Sequence, residues 1–151
     1  MNAETITPAD VISEATKWLR TPFHDDAKRL GVGVDCARFI EAVFQGIGIK
    51  LEDFPPYSPQ WHLNRDQELF AEHVLKYCDE IPAEAVRPGD IVLWRFGRCY
   101  SHGAIYCGRG EVIHAMKADG FVRFSGIDEG LLAETKRRKR RYFRWKGFRN
   151  V

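Results

Sequence analysis

The sequence predicts an α+β fold, with helices in the N-terminal half and an antiparallel meander of strands in the C-terminal half. Two observations carry that expectation. Up to about residue 77 the apolar residues recur at helical spacing. From residue 91 onward they form short runs punctuated by Gly97, Gly108-Arg109-Gly110 and Asp119-Gly120. The chain has 151 residues, 44% hydrophobic and 29% charged, which suits one domain over residues 1–151 with a core of its own. No internal repeat or low-complexity linker divides it.

Taken in order, Thr7-Pro8 opens a first helix, with Thr7 as N-cap and Pro8 at the first helical position. Val11, Ala15, Trp18 and Leu19 make its apolar face, and Thr21-Pro22 ends it. Gly31-Val32-Gly33-Val34 is a flexible approach to Asp35, the N-cap of a second helix. Phe39, Ile40, Val43 and Phe44 form the buried stripe of that helix, and Gly46 and Gly48 close it. Residues 51–62 carry Pro55, Pro56 and Pro59 with Tyr57 and Trp61, an extended aromatic-rich loop. It reads equally as a self-contained apolar cluster or as a wall of a cleft. A third helix covers about 66–77, with Leu69, Phe70, Val74 and Leu75 inward. After the Arg87-Pro88-Gly89-Asp90 turn, strands are expected at 91–96, 102–107, 111–115 and 121–124. A short helix near 128–134 and a last strand at 142–145 complete the chain.

Several function classes are disfavoured. No apolar run approaches the roughly 20 residues of a membrane-spanning helix, and the first residues lack a signal-peptide pattern, so the chain is expected in the cytoplasm at synthesis. Four cysteines without a C-x-x-C pair are expected as reduced thiols. Cys36, Cys99, His102 and His114 could in sum offer four zinc ligands, but none forms the close pair of a structural site, and no metal is expected. A net charge of +2 gives no overall field for nucleic acid. The basic run Lys136–Arg141, with Arg144, Lys146 and Arg149, reads as solvated surface.

Three stretches concentrate the chemistry: Val34-Asp35-Cys36-Ala37-Arg38, Ser101-His102-Gly103 and Ile113-His114-Ala115. The first puts a thiol at a helix N-terminus, where backbone dipoles and a nearby imidazolium favour the thiolate. The others put imidazoles on strands, where His102 can act as base and later return its proton to a leaving amine. If 105–107 pair with 111–113 around the Gly108–Gly110 turn, His114 lies across the ladder from His102 and can orient it. The backbone N–H of Cys36 is a candidate oxyanion donor.

The ordered set Thr21-Pro22-Phe23, Asp35-Cys36-Ala37, Arg87-Pro88-Gly89-Asp90, Ser101-His102-Gly103 and Ile113-His114-Ala115 resembles the NlpC family of cell-wall cysteine peptidases, its phage and prophage members most. The resemblance implies a papain-like α+β fold, with the nucleophile helix packed on a C-terminal antiparallel sheet. It implies hydrolysis of amide bonds in peptidoglycan stem peptides, commonly after D-glutamate, without a cofactor, by Cys36 as nucleophile, His102 as base and His114 as orienter. It also implies partnership with peptidoglycan peptides and association with a phage tail. Two positions depart from the family pattern: Ala37-Arg38 replaces the usual Ser-Gly, and Phe23 stands where a tyrosine hydroxyl can assist the oxyanion. His24 is a candidate replacement for that hydroxyl. Asp35, Phe23, His24, Arg38, Ser101 and Tyr57 are the candidate substrate or oxyanion residues around the three. A non-catalytic structural or glycan-binding module, and an acyltransferase or amidase on the same framework, are the alternatives.

Overall fold

A computed structural model describes residues 5–57 and 68–149. Helix α1 spans Pro8–Lys17. Its start is a capping box in which Thr7 Oγ1 accepts from Asp10 N at 3.3 Å and the Asp10 carboxylate accepts from Thr7 N at 2.8 Å. The helix stops at Lys17, earlier than Thr21-Pro22, because Arg20 takes a positive φ of 72° and turns the chain toward the sheet. Arg20 N then donates to Val122 O. The expected flexible approach 31–34 is instead part of a small hairpin. Strands β1 (Lys28–Arg29) and β2 (Gly33–Val34) pair antiparallel, Lys28 with Val34 and Arg29 with Gly33.

Helix α2, Cys36–Gly46, is buried on nearly every side. Phe39, Ile40, Val43 and Phe44 are fully buried, as the stripe predicts, and so are the polar Arg38 and Glu41. Helix α3, Leu69–Leu75, is shorter than expected, and Leu75 faces out at 37% exposure. Pro59, Trp61 and the expected helix start at Asp66 lie outside the described residues.

Six strands form one antiparallel sheet: β3 (Cys78–Ile81), β4 (Ile91–Phe96), β5 (Cys99–Gly108), β6 (Glu111–Ala115), β7 (Val122–Gly126) and β8 (Arg140–Trp145). Their spatial order is β3-β8-β4-β5-β6-β7. Strand β3 carries no apolar alternation of its own; it exists because Asp79 and Glu80 pair with Arg144 and Phe143 on β8. Glu80 also takes the Arg141 guanidinium in two bonds of 2.9 and 2.6 Å.

The sheet is buried on both faces. Ile91, Leu93, Ile105, Ile113 and Phe143 join the main core beneath α2, while Val92, Trp94, Ala104, Val112 and Tyr142 point the other way. The second face is covered by the 127–138 segment, which forms a single 3-10 turn at Gly130–Leu132 rather than a helix. Leu132 packs there and its carbonyl accepts from Trp94 Nε1 at 2.7 Å.

The basic run is consequently only partly solvated. Lys136, Arg137 and Lys139 are exposed. Arg138, in contrast, lies 4.3 Å over the Phe96 ring. The Arg140 guanidinium is nearly buried, with bonds of 2.8 Å to the Ile127 and Leu132 carbonyls. Arginines in this run satisfy carbonyls that the covering segment would otherwise leave unpaired.

Candidate active site

Asp35 caps α2 by accepting from Arg38 N at 2.9 Å, which fixes Cys36 in the first turn. The β5–β6 ladder runs from Gly108↔Glu111 to Ile105↔Ile113. Beyond it, toward Ser101 and Ala115, opens a cleft of about 360 Å³ lined by Cys36, His102, Tyr57, Phe23, Phe96 and Met116 among others. Helix α2 approaches the sheet closely because residue 103 is glycine. A Cβ there would meet Ile40 Cδ1 at 2.7 Å, Leu93 Cδ2 at 2.8 Å and Phe70 Cζ at 3.0 Å.

The Cys36 thiol donates to the Ser101 carbonyl at 3.4 Å, one residue before His102. Burial, and after it the Asp35 charge, push the thiol up. The backbone N–H groups of Gly103, Ala37 and Cys36 oppose this by favouring the anionic sulfur. Burial, followed by the neighbouring His114, holds His102 well below the ordinary histidine range. Burial thus opposes the charged forms of both the thiol and the imidazole, while the backbone N–H groups at the start of α2 favour the thiolate. His102 is buried at the back of the cleft, whereas Cys36 is part-exposed on its wall.

His102 Nε2 lies 2.8 Å from His114 Nδ1, so the two imidazoles share one proton in a hydrogen bond. This leaves Nδ1 of His102 as the ring nitrogen able to serve the thiol. The His102 ring is seated against Trp94 and Phe96, at 5.7 and 5.6 Å between centroids. His114 is 1% exposed, and burial lowers it to about 4 despite the opposing Asp119 carboxylate. Its Nε2 stands 3.6 Å from Asp119 Oδ2.

The six surrounding candidates separate clearly. Phe23 and Tyr57 line the cleft. Asp35 lines it too, but its carboxylate accepts from Arg38 N, Asp26 N and the Tyr57 hydroxyl, and a carboxylate has no proton to offer an oxyanion. The Tyr57 proton is thus directed at Asp35. Ser101 contributes its carbonyl, while its hydroxyl donates to Phe96 O at 3.1 Å. Arg38 and His24 are not in the cleft. Arg38 is drawn away by Asp26 and Glu41 into a buried ion-pair network. His24 is exposed and its ring rests against Gly33.

The NlpC/P60 family's sequence profile matches residues 20–141. The chain belongs to the NlpC/P60 family. Among solved structures, this NlpC/P60 chain resembles the NlpC/p60 domain of the peptidoglycan hydrolase SagA, with a TM-score of 0.65, 20% identity, and coverage of 90% of this chain and 97% of that one. It also resembles RipD from Mycobacterium tuberculosis, a non-catalytic NlpC/p60 domain protein adapted to peptidoglycan binding. There the TM-score is 0.58 at 19% identity, over 91% of this chain and 95% of that one. A tail tip assembly protein K of Escherichia phage lambda is 32% identical over 94 residues, 60% of this chain. The match takes in 46% of that protein, so the chain spans about half of its relative.

In this NlpC/P60 domain Asp119, Asp25 and Lys117 also stand at or behind the site, and no motif in the sequence singles them out. Asp119 follows His114 by five positions, a carboxylate near a strand-borne histidine, and that spacing was the available signal. Asp25 and Lys117 come from separate loops and meet at the cleft at 3.8 Å, which no local pattern encodes.

Proposed function

We propose that this domain is a cysteine peptidase that hydrolyses an amide bond of peptidoglycan stem peptides, after D-glutamate, as part of a phage tail. The observation that carries the reading is that Cys36 and His102 line one cleft, with His102 Nε2 2.8 Å from His114 Nδ1 behind it. Family membership and the tail-protein relative support the substrate class and the setting. The cleft rim bears one cation and one anion, Lys117 and Asp25, which complements peptides carrying both amines and carboxylates.

In this reading the Cys36 proton passes to His102 Nδ1 as sulfur attacks the carbonyl carbon. The resulting oxyanion is held by the Cys36 N–H at the start of α2. His102 returns the proton to the departing amine, leaving a thioester. Water, deprotonated by His102, then attacks the thioester, and the acid product leaves with the thiol restored. His114 holds the His102 ring in place throughout.

Mass spectrometry of defined stem peptides tests the proposal. Wild type should release the product cut after D-glutamate, and Cys36→Ala should abolish release while keeping the wild-type thermal transition. Intact peptides with wild type would favour the binding-module reading, for which the non-catalytic RipD domain is a precedent. Product formation by Cys36→Ala would remove Cys36 from the chemistry.

A further inference from the structure

Two buried polar atoms behind the histidine pair lack partners among the described residues: His114 Nε2 and Asp119 Oδ2. They face one another at 3.6 Å, beyond a hydrogen bond. A shift of about half an ångström would satisfy both, and such bonds are often loose before substrate binds. Asp119 is itself fixed from the other side, since Arg123 Nη1 donates to its Oδ1 at 3.3 Å and Arg123 Nη2 pairs with Glu129 at 2.9 Å. The charged and titratable groups facing His114 are thus His102 on β5, Asp119 in the turn after β6, Arg123 on β7 and Glu129 beyond it.

We propose that Asp119 is a positioning residue that sets the tautomers of both histidines. A carboxylate can only accept, so it selects the His114 form with the proton on Nε2. Nδ1 of His114 is then an acceptor. His102 must donate from Nε2 to it, and Nδ1 of His102 is left unprotonated, free to take up the thiol proton in the peptidase reading. Reversing the last link reverses every one before it: a donor at the Asp119 position would put the His102 proton on Nδ1, where it blocks uptake of the thiol proton. The inference rests on the peptidase reading only in naming His102 as the base.

Two measurements that need no substrate test it. Histidine ¹⁵N–¹H spectra of the wild type should show His114 and His102 both protonated at Nε2. In Asp119→Asn, Arg123 keeps the side-chain carbonyl and turns the amide N–H₂ toward His114, so both tautomers should invert. Alkylation of Cys36 by iodoacetamide at pH 7.5 should slow at least about a hundredfold, since a carboxylate-to-amide change behind a catalytic histidine costs about 10⁴ in the serine triad. Asp119→Glu should restore the wild-type tautomers and most of the alkylation rate. Nδ1 protonation of His114 in the wild type would overturn the proposal, as would unchanged tautomers and alkylation in Asp119→Asn. If Asp119→Asn fails to fold, the wild-type spectrum and Asp119→Glu decide. Failure of the peptidase reading would appear separately, as intact stem peptides with correct tautomers.

Discussion

Arg38 stands two residues after the candidate nucleophile, yet its charge is spent on the fold. Its guanidinium bonds Asp26 at 2.9 Å through Nε and Glu41 at 3.1 and 3.2 Å through Nη1. It also lies 5.8 and 5.5 Å from the Phe54 and Tyr57 rings. Glu41, 1% exposed, additionally takes Lys28 Nζ at 2.7 Å and the Phe54 backbone N–H. One buried carboxylate thereby ties α2 to the segment that delivers Tyr57 to the cleft. Removing one partner of a buried ion pair leaves an uncompensated charge. Glu41→Ala should therefore lower the unfolding free energy by about 3–5 kcal/mol in a urea titration. A loss below about 1 kcal/mol would show the network to be as weak as an exposed pair. Cys36, His102 and His114 stand out as candidates in the chain because each sits in a short local pattern, a cap before a helix or a polar residue in an apolar strand. The destination of Arg38 could not. Asp26 lies in a loop and Glu41 inside an apolar helix, and only the folded path of residues 51–57 explains why a carboxylate is needed there.

At the scale of elements, the site depends on how closely α2 lies on β5, and Gly103 sets that distance. The atoms a methyl group would meet are side-chain ends of Ile40, Leu93 and Phe70, all three buried in the core. Gly103→Ala should cost about 1–3 kcal/mol as overpacking. It should also cut turnover more than stability alone explains, because a misplacement near 1 Å can cost about a hundredfold. Peptide turnover measured below the variant's thermal transition separates the two effects. A wild-type rate in a destabilised protein would mean the helix position is not rate-determining. The strands β4 to β7 were visible in the sequence because apolar runs and glycine turns are local signals. Strand β3 was not, since its residues Cys78-Asp79-Glu80-Ile81 become a strand only through β8. The 127–138 cover over the second sheet face was also hidden. Its anchors are carbonyls bonded by Arg140 and Trp94, and backbone acceptors leave no trace in side-chain patterning.

Among the described residues three histidines are buried, His73, His102 and His114, each held below the ordinary value first by burial. A histidine depressed in the folded state is neutral in both states at high pH, so it costs nothing there. As pH falls through the unfolded value, near 6.5, the unfolded chain takes up protons that the folded chain refuses. Stability should therefore be level between pH 7 and 8 and decline between about 6.5 and 4. For His114 alone, with its value of about 4, the loss at pH 4 is about 3 kcal/mol, since each unit of difference is worth 1.36 kcal/mol. The paired carboxylates Asp79 and Glu80, lowered first by their arginine partners, lose their contribution in a more acidic window. The histidine decline should thus begin first. Thermal melts across pH 4–8 read it directly, and a transition temperature constant down to pH 4.5 would contradict it. His73 lies away from the cleft, packed edge-on to Phe54 and Tyr77, with both ring nitrogens lacking a hydrogen-bond partner among the described residues and Nε2 4.0 Å from Glu41. His73→Phe should accordingly make the pH 6.5–4 slope shallower while leaving the acid limb of peptide cleavage in place. In the proposed mechanism that limb belongs to His102, which must stay neutral to receive the thiol proton, so activity should persist below the pH at which an ordinary histidine is half protonated.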